Sequence, residues 1–315
     1  MQTYLECYPC FVRQVLDAAK AAGTDTARQH ALLQRALGDM ARHDTAMPPS
    51  ELSSQIQALA RRLSGNADPY REAKAASTRA ALGMVPRLSR LIREAEDPLE
   101  AAVRLSIAGN IMDLGVLQSF DLEATVERVL AEPFAINDLP ALRQALARST
   151  SLLFLGDNAG ETVFDRLLIE TLSIPTTYVV KAGPAVNDAT REDAIAAGLD
   201  RVAEIVDNGS DGLGTLLHHC SAEFVRRFEA AELIIAKGQA NFECLDGLGA
   251  PVFYLLQAKC RVIAGHLNVP QFGIVLKQER SGNGRVRQSA VVAGATVPEG
   301  KSSSELFDHL AVFDT

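Results

Sequence analysis

The sequence contains no tryptophan, and its 315 residues include only five cysteines and six histidines. An odd number of cysteines in a chain of this length argues against a disulfide framework and indicates a reducing compartment. Acidic residues outnumber basic ones, so the net charge is −8 and the pI is about 5.3. This balance favours neither a nucleic acid nor an anionic membrane as a partner.

Long apolar segments are also missing from the sequence. No apolar run approaches the roughly 20 residues that a membrane helix requires. The first ten residues, MQTYLECYPC, lack the basic region and apolar core of a secretory signal. The remaining composition, 47% hydrophobic and 22% charged, is typical of a globular protein. We therefore expect a cytoplasmic protein without membrane association, and the sequence leaves its oligomeric state open.

The chain divides into two regions that differ in composition and in the spacing of their apolar residues. Residues 1–147 are rich in Ala, Leu, Arg and Glu, with apolar residues at helical spacing, and they predict an all-helical domain of six or seven helices. One such apolar stripe is formed by Leu52, Ile56, Leu59 and Leu63. Long helices are expected up to about residue 93 and from 98 to about 112, and shorter ones near 122–131 and 138–147.

Residues 148–315 instead alternate short apolar runs with helical segments and predict an α/β domain. Strands that alternate with helices form a mostly parallel sheet, in which ligands bind beyond the carboxyl ends of the strands. The residues that follow each strand are therefore the candidates for function. The predicted strands are Leu152–Leu155, Thr177–Lys181, Arg201–Val206, Leu233–Ala236, Val252–Leu256 and Gly273–Lys277.

The first strand runs into the sequence GDNAGE, residues 156–161. Its two glycines allow a sharp turn and a close approach of a ligand to the backbone. Asp157 and Asn158 offer hard oxygen ligands of the kind that Mg²⁺ or Mn²⁺ prefers. The helix that follows Gly160 presents unpaired N–H groups to an anion such as phosphate. The alternative is that Asp157 and Asn158 are only turn and capping residues.

Two further strand ends have the same chemical character. Asn187 and Asp188 follow the second strand, and a second Asn-Asp pair favours convergence of both pairs on one cation. Lys237 ends another strand beside Gly238, where a lysine can meet a phosphate as a point charge. The alternative for Asn187 and Asp188 is a helix cap, and the alternative for Lys237 is a surface lysine with a polar turn. Additional polar groups on the second of these turns are Gln239, Asn241 and Glu243.

The chain resembles the damage-control phosphatase family, also known as domain of unknown function 89, in three motifs taken in order. These motifs are GDNAGE (156–161), KAGPAVNDAT (181–190) and KGQANFE (237–243). The segment CYPC (7–10) looks like the CxxC that marks the prokaryotic branch of this family. The segments GNADPY (65–70) and AGNIMD (108–113) also match stretches of that branch. The resemblance spans about residues 1–280.

This resemblance implies a Rossmann-like three-layer α/β domain preceded by an all-helical domain. It implies one divalent cation (Mn, Mg, Co or Ni) held by Asp157, Asn158 and Asp188. Lys237 matches the phosphate-contacting lysine of the family and joins Asp157, Asn158 and Glu161 in the expected catalytic set. The residues expected to bind substrate are Asn110, Asp113, Gly160, Asn187, Gly238, Gln239, Asn241 and Glu243.

These features together predict a metal-dependent phosphatase that hydrolyses a phosphomonoester of a small metabolite, such as a sugar phosphate or a damaged phospho-metabolite. The attacking group is either a metal-activated water or an aspartate that becomes transiently phosphorylated. A glycine-rich turn also suits an S-adenosylmethionine-dependent carboxyl methyltransferase, although GDNAGE lacks the pattern G-x-G-x-x-G. A non-catalytic module that binds a metal or another ligand is the remaining alternative.

The pair Cys7 and Cys10 has several possible roles. CxxC spacing can hold zinc or an iron–sulfur cluster, form a redox disulfide, or simply place two packed thiols. Because a second CxxC is missing, Cys260 or a histidine would have to complete a metal site in space. A helix that begins at this pair would favour a reactive thiolate. His218 and His219 are expected to lie at a helix end rather than to act as ligands.

Overall fold

The computed structural model describes residues 1–110 and 122–279. Within these ranges the fold is mixed α/β, with twelve α-helices and one seven-stranded sheet. Asp113, which the sequence predicts to bind substrate, lies outside the described residues. No helix in the two described ranges has the length and apolar character needed to cross a membrane.

Five α-helices occupy the chain up to residue 109: α1 Tyr8–Ala21, α2 Thr26–Arg42, α3 Pro49–Ser64, α4 Arg71–Glu94 and α5 Pro98–Gly109. Local side-chain chemistry sets several of their ends. The carboxylate of Asp25 accepts a hydrogen bond from Arg28 N at the start of α2, and Asp97 accepts one from Glu100 N at the start of α5. Gly65 ends α3 in the left-handed region, with φ of 69°.

Seven more α-helices follow: α6 Leu122–Ala131, α7 Leu139–Arg148, α8 Thr162–Leu172, α9 Arg191–Ala196, α10 Ala222–Ala230, α11 Gly238–Leu245 and α12 Arg261–Leu267. The prediction of short helices near 122–131 and 138–147 is thereby confirmed. His218 and His219 do not lie on α10 but in a 3-10 turn, Leu217–His219, that precedes it.

The sheet is built from β1 Ile136–Asn137, β2 Leu152–Leu155, β3 Thr176–Val180, β4 Glu204–Asp207, β5 Ile234–Lys237, β6 Val252–Gln257 and β7 Ile274–Gln278. The strand order is β1-β7-β6-β5-β2-β3-β4, and every neighbouring pair is parallel except β6 with β7. The six predicted strands are confirmed to within three residues. Strand β4 starts later than predicted because Leu199–Arg201 forms a 3-10 turn. The two-residue strand β1 is not predicted by the sequence.

Helices cover both faces of the sheet. Along β2, Leu152 and Phe154 join one apolar core, while Leu153 and Leu155 join another, as the alternation of side chains along a strand requires. The first core contains residues of α4 to α9, and the second contains residues of α10, α11 and α12. Helices α1, α2 and α3 share a third core of their own.

The chain reverses its direction across the sheet at β2. It proceeds from β2 to β3 and β4 on one side, and it then returns to β5 on the other side of β2. The carboxyl ends of β2 and β5 therefore border a crevice at a topological switch point, which is where open α/β sheets bind their ligands. The segments that follow β2, β3 and β5 all open onto this edge.

Candidate functional site

The loops after β2 and β3 are joined to each other by backbone hydrogen bonds. Asn158 and Asp188 form an antiparallel bridge. Ala159 N donates to Asn187 O at 2.8 Å, and Ala189 N donates to Asp157 O at 2.8 Å. The two Asn-Asp segments that the sequence predicts to converge are thus brought side by side at the sheet edge.

One residue of the β3 loop has a strained backbone. Val186 has a φ of 49°, in a left-handed region that a β-branched side chain rarely adopts. It lies two residues before Asp188, whose own N–H donates to Ala185 O at 2.9 Å. Strain of this kind persists only where the surrounding contacts fix the backbone, and it concentrates at functional sites.

The carboxylate of Asp157 is held by two side-chain amides. Its Oδ2 accepts hydrogen bonds from Asn110 Nδ2 at 2.9 Å and from Asn158 Nδ2 at 3.2 Å. The same two amides also donate to Glu161 Oε1, and the distance from Asn110 Nδ2 is 2.8 Å. Asn110 therefore bridges two carboxylates from the C-terminal end of α5, as the resemblance implied for a contribution from the helical region.

Burial and mutual repulsion act on the acids of this cluster. Burial, followed by the charges of Glu161 and Asp188, raises the pKa of Asp157 well above its ordinary value. Burial also raises the pKa of Asp188 to about 6, although Lys181 opposes the shift. Lys181 Nζ lies 3.4 Å from Asp188 Oδ2 and donates to Gly214 O. A bound cation would relieve the repulsion that these carboxylates exert on one another.

Lys237 is fully buried, and its three N–H donors are all used within the protein. Nζ donates to Asp165 Oδ1 at 2.6 Å, to Ser106 O at 2.9 Å and to Glu161 Oε2 at 3.0 Å. Burial by itself lowers the pKa of Lys237, but the carboxylates of Asp165 and Glu161 outweigh it and raise the pKa. Lys237 therefore anchors two acids in this arrangement and presents no spare donor to a phosphate.

Several members of this network were not predicted from the sequence. Asp165 accepts hydrogen bonds from Lys237, from Ser106 Oγ at 2.8 Å and from Tyr178 OH at 2.8 Å. It lies one helical turn after Glu161, and this i, i+4 spacing was the signal available in the sequence. Lys181, at the end of β3, was treated only as part of a strand.

Gly238 provides a close approach between the β5 end and the β2 loop. Its φ is 79°, and a Cβ at this position would lie 1.9 Å from Asp157 Oδ2. Gly160 has a different role, because a Cβ there would lie 2.9 Å from Ser77 Cβ on α4. The turn containing Gly160 is buried against α4, so Gly160 serves as a packing position.

Asn241 belongs to the framework of the site. Its Nδ2 donates to Lys237 O at 2.8 Å and to Gly156 O at 3.1 Å, and its Oδ1 accepts from Thr215 Oγ1 at 2.7 Å. These bonds fix the turn after β2 to the turn after β5. Asn241 itself is fully buried, so its amide group is used within the protein.

Gln239 and Glu243 lie on the part of α11 that faces the N-terminal helices. Glu243 accepts hydrogen bonds from Ser50 Oγ and from Gln239 Nε2, both at 3.0 Å. Its backbone carbonyl accepts a bond from the N-terminal amine of Met1 at 2.8 Å. Glu243 therefore belongs to the contact between α11 and the N-terminal helices, whereas Lys237 pairs with Glu161 and Asp165.

The chemistry of the cluster fits a divalent cation. Asp157, Asn158 and Asp188 supply hard oxygen atoms. One buried oxygen, Asn110 Oδ1, has no hydrogen-bond partner, and buried polar atoms of this kind require one. Asp188 Oδ2 is buried as well, and its ion-pair partner is Lys181 Nζ at 3.4 Å. The surrounding charges leave a formal negative excess, since four carboxylates face two ammonium groups. These six groups are Asp157, Glu161, Asp165, Asp188, Lys181 and Lys237.

The cysteine pair lies at the start of α1, as predicted. All five cysteines are free thiols. Burial raises the pKa of Cys7 and of Cys10, which argues against a reactive thiolate. Within residues 1–110 and 122–279, a single group of three His, Cys, Asp or Glu side chains has ligand atoms within 4.8 Å of one another, namely Glu51, His218 and His219. Cys260 and the histidines therefore do not complete a site of that spacing with the CxxC.

Comparison with known proteins identifies the family. The family model for the damage-control phosphatase ARMT1-like domain matches residues 3–275. The chain belongs to this family. The ARMT1-like domain thus extends from the residues before α1 to β7, and it includes both the N-terminal helices and the carboxylate cluster.

Relatives from three archaea cover nearly the whole ARMT1-like domain. A damage-control phosphatase from Pyrococcus horikoshii is 33% identical over 287 residues, which are 89% of this chain and 99% of the relative. A damage-control phosphatase from Archaeoglobus fulgidus is 32% identical over 281 residues, 86% of this chain and 97% of the relative. An uncharacterized protein from Methanocaldococcus jannaschii is 34% identical over 280 residues, which are 84% of this chain and 91% of the relative. The crystal structure of a DUF89 family protein from Pyrococcus horikoshii superposes with a TM-score of 0.80 at 31% identity, covering 89% of this chain and all of that one.

Proposed function

We propose that this protein is a phosphatase that uses one divalent cation (Mg²⁺, Mn²⁺, Co²⁺ or Ni²⁺) to hydrolyse a phosphomonoester of a small metabolite. The substrate class is a sugar phosphate or a damaged phospho-metabolite. Two relatives carry the name damage-control phosphatase, which supports the reaction. The observation that carries metal dependence is the buried cluster of Asp157, Glu161 and Asp188, beside which the buried oxygen Asn110 Oδ1 has no hydrogen-bond partner.

Asp157, Asn158 and Asp188 are the residues that would hold the cation. When bound, a divalent cation supplies a Lewis acid that stabilises negative charge developing on a phosphoryl group. Asn110 fixes the orientation of Asp157 through the hydrogen bond to Oδ2, and it also donates to Glu161. Both acids are therefore held rigidly before a ligand arrives, which lowers the cost of binding.

Lys237 stabilises the site through its contacts with two acids. By donating to Glu161 and Asp165 it places an opposite charge beside two buried carboxylates. Burial raises the pKa of Asp165, and the charge of Lys237 opposes this rise. Direct contact between Lys237 and a phosphate, which the family resemblance implies, would require one of these hydrogen bonds to break. We therefore assign Lys237 a positioning role, in which it holds Glu161 and Asp165 in place.

We assign Lys259 as the side chain that binds the phosphate group of the substrate. It follows the carboxyl end of β6, the strand next to β5, and its side chain is half-buried. Its charge acts on Asp157 and opposes the rise of the pKa of that acid. A lysine in this position can meet the phosphoryl oxygens as a point charge beside the cation.

The experiment that tests the proposal is phosphate release by metal-stripped protein from p-nitrophenyl phosphate and a panel of sugar phosphates. Each of the four cations is added back separately to the wild type, to Asp157→Asn and to Asp200→Asn, an exposed acid on the turn before β4. We expect cation-restored turnover in the wild type and Asp200→Asn but not in Asp157→Asn. Turnover that ignores both the cation and Asp157 would refute the proposal, and binding of S-adenosylmethionine without turnover would favour a methyltransferase.

A further inference from the structure

A cluster outside the carboxylate site joins two distant segments of the chain. Glu51 lies in the first turn of α3, and its Oε2 is 3.0 Å from His218 Nε2. Its Oε1 is 3.3 Å from His219 Nε2. The two imidazole rings are neighbours, with centroids 4.3 Å apart. Three side chains with metal-binding atoms therefore converge, and each of these atoms lies within 4.8 Å of the others.

We propose that Glu51, His218 and His219 form a second metal site, which binds a borderline cation such as Zn²⁺. Two imidazole nitrogens and one carboxylate oxygen are a ligand set that Zn²⁺ accepts, with a fourth position left to solvent. Ligands about 2.0 to 2.1 Å from a tetrahedral ion lie roughly 3.3 Å from each other. The separations of 3.0 and 3.3 Å between Glu51 and the two histidines are close to this value.

The surroundings leave room for an ion to enter and exchange. Glu51 is buried, whereas both histidine side chains are more than a third exposed. A cavity of about 310 Å³, lined by Glu51, Gln55 and residues at the end of α2, opens beside the carboxylate. The ligand set also differs in kind from the oxygen-rich cluster around Asp157, because imidazole favours Zn²⁺, Co²⁺ and Ni²⁺ over Mg²⁺.

A metal at this position would fasten the chain between β4 and α10 to helix α3. Two contacts already link them: Leu213 N donates to Ser54 Oγ at 2.9 Å, and Arg61 pairs with Asp211 at 2.5 Å. Farther along this segment, Gly214 O accepts a bond from Lys181. The metal would therefore stabilise the loop that holds the lysine next to Asp188.

The metal-free alternative is a plain ion pair. A hydrogen bond to Glu51 raises the pKa of His219, and the pKa of Glu51 is lowered mainly by its hydrogen bond from His219. A protonated histidine on the carboxylate would link the same two segments without any cation. The two explanations differ in the number of metal ions that the protein binds and in the side chains that coordinate a bound ion.

Cobalt spectroscopy on the full chain separates the two explanations. Co²⁺ is titrated into metal-stripped wild type, Asp188→Asn, His219→Gln and Glu51→Gln, with Zn²⁺ as competitor. His266→Gln is the control, since His266 also pairs with a carboxylate, Asp246 Oδ2 at 2.8 Å. We expect one Zn²⁺-displaceable Co²⁺ with strong visible bands in the wild type, the control and Asp188→Asn. Each of the two ligand variants should weaken this binding more than about 100-fold, since even loss of a residue behind a ligand costs 10–100-fold.

Thermal unfolding checks that each variant is folded. Two ligand variants are compared so that the result does not depend on either variant alone. If Glu51→Gln and His219→Gln bind Co²⁺ and Zn²⁺ as the control does, or if the wild type shows no such bands, the second site does not exist and the cluster is an ion pair. Because the ligands are separate from the Asp157 cluster, this outcome is independent of the proposed phosphatase activity. Hydrogen exchange of residues 208–221 should slow on addition of Zn²⁺ in the wild type but not in Glu51→Gln or His219→Gln.

Discussion

Gly238 lies so close to Asp157 that a single methyl group at position 238 would come within 1.9 Å of Asp157 Oδ2. The turn after β5 therefore shapes the carboxylate after β2, although the two residues belong to different loops. This contact explains in physical terms why the motif that begins at Lys237 contains a glycine. It also provides a sharp test of how strictly the cation site depends on the placement of Asp157.

We expect Gly238→Ala to displace Asp157 and to weaken metal binding and turnover together. The matched control is Gly247→Ala, because Gly247 has a similar φ of 85° but nothing within 4 Å of the added methyl. Both variants carry the cost of a left-handed alanine, about 1 kcal/mol. Metal affinity measured by calorimetry should fall only in Gly238→Ala. Equal metal affinity in the two variants would argue against the role assigned to Asp157.

Replacement of Lys237 tests its role as an anchor. Lys237→Met leaves Asp165 and Glu161 buried without their cation, and we expect the free energy of unfolding of the metal-free protein to fall by about 3–5 kcal/mol. Adding Asp165→Asn to that variant should restore part of the loss, because one of the two uncompensated carboxylates is then removed. The measurement is denaturant unfolding followed by circular dichroism.

The control for this experiment is Lys277→Met. Lys277 is partly exposed and lies 3.6 Å from each of two acids, Asp246 and Glu279, so we expect a smaller loss of stability than in Lys237→Met. If Lys237→Met keeps wild-type stability but raises KM for a phosphoester, Lys237 contacts the substrate rather than anchoring the acids.

Lys259 should act on substrate binding more than on turnover. We expect Lys259→Gln to raise KM for p-nitrophenyl phosphate by roughly tenfold, the loss of one charged contact, with a smaller change in kcat. Lys277→Gln serves as the comparison, because Lys277 packs over the rings of Phe242 and Tyr254 instead. An unchanged KM in Lys259→Gln would mean that the phosphate is bound by another group.

Cysteine chemistry should have no part in the reaction. Burial raises the pKa of Cys220 to about 11 and that of Cys244 to about 12. A raised pKa keeps a thiol protonated at neutral pH, so the alkylation rate of Cys220 should increase about tenfold per pH unit up to pH 10. Mass spectrometry after iodoacetamide treatment measures this rate. A plateau in the rate near pH 8, or loss of activity on labelling of Cys220, would contradict the assignment.

The sequence alone was sufficient to locate most of the sheet. Apolar runs such as Leu152–Leu155 are buried on both sides and bounded by turn residues, so their ends are visible in the sequence. Strand β1 was missed because Ile136–Asn137 is too short to show a periodicity. The start of β4 was misplaced because the apolar residues Val202 and Ala203 lie between the 3-10 turn Leu199–Arg201 and the first residue of the strand, Glu204.

The candidate site was only partly accessible from local chemistry. Asp157 and Asp188 follow strands directly, so their position at one sheet edge could be predicted from topology. Asn110 was named through the family resemblance, because nothing local indicates that the end of α5 reaches the loop after β2. The contacts of Glu51 with His218 and His219 span more than 160 residues, and no pattern within either segment predicts them.

Metal-dependent turnover is tested by the rate of p-nitrophenyl phosphate hydrolysis as Mn²⁺ is added to metal-stripped protein. Wild type, Asp188→Asn and the exposed-acid control Asp200→Asn are compared at the same concentrations. We expect no turnover without metal, saturable restoration of turnover in the wild type and the control, and rates at least about a hundredfold lower in Asp188→Asn. Turnover without metal, or the same Mn²⁺ dependence in Asp188→Asn as in the wild type, would contradict this expectation.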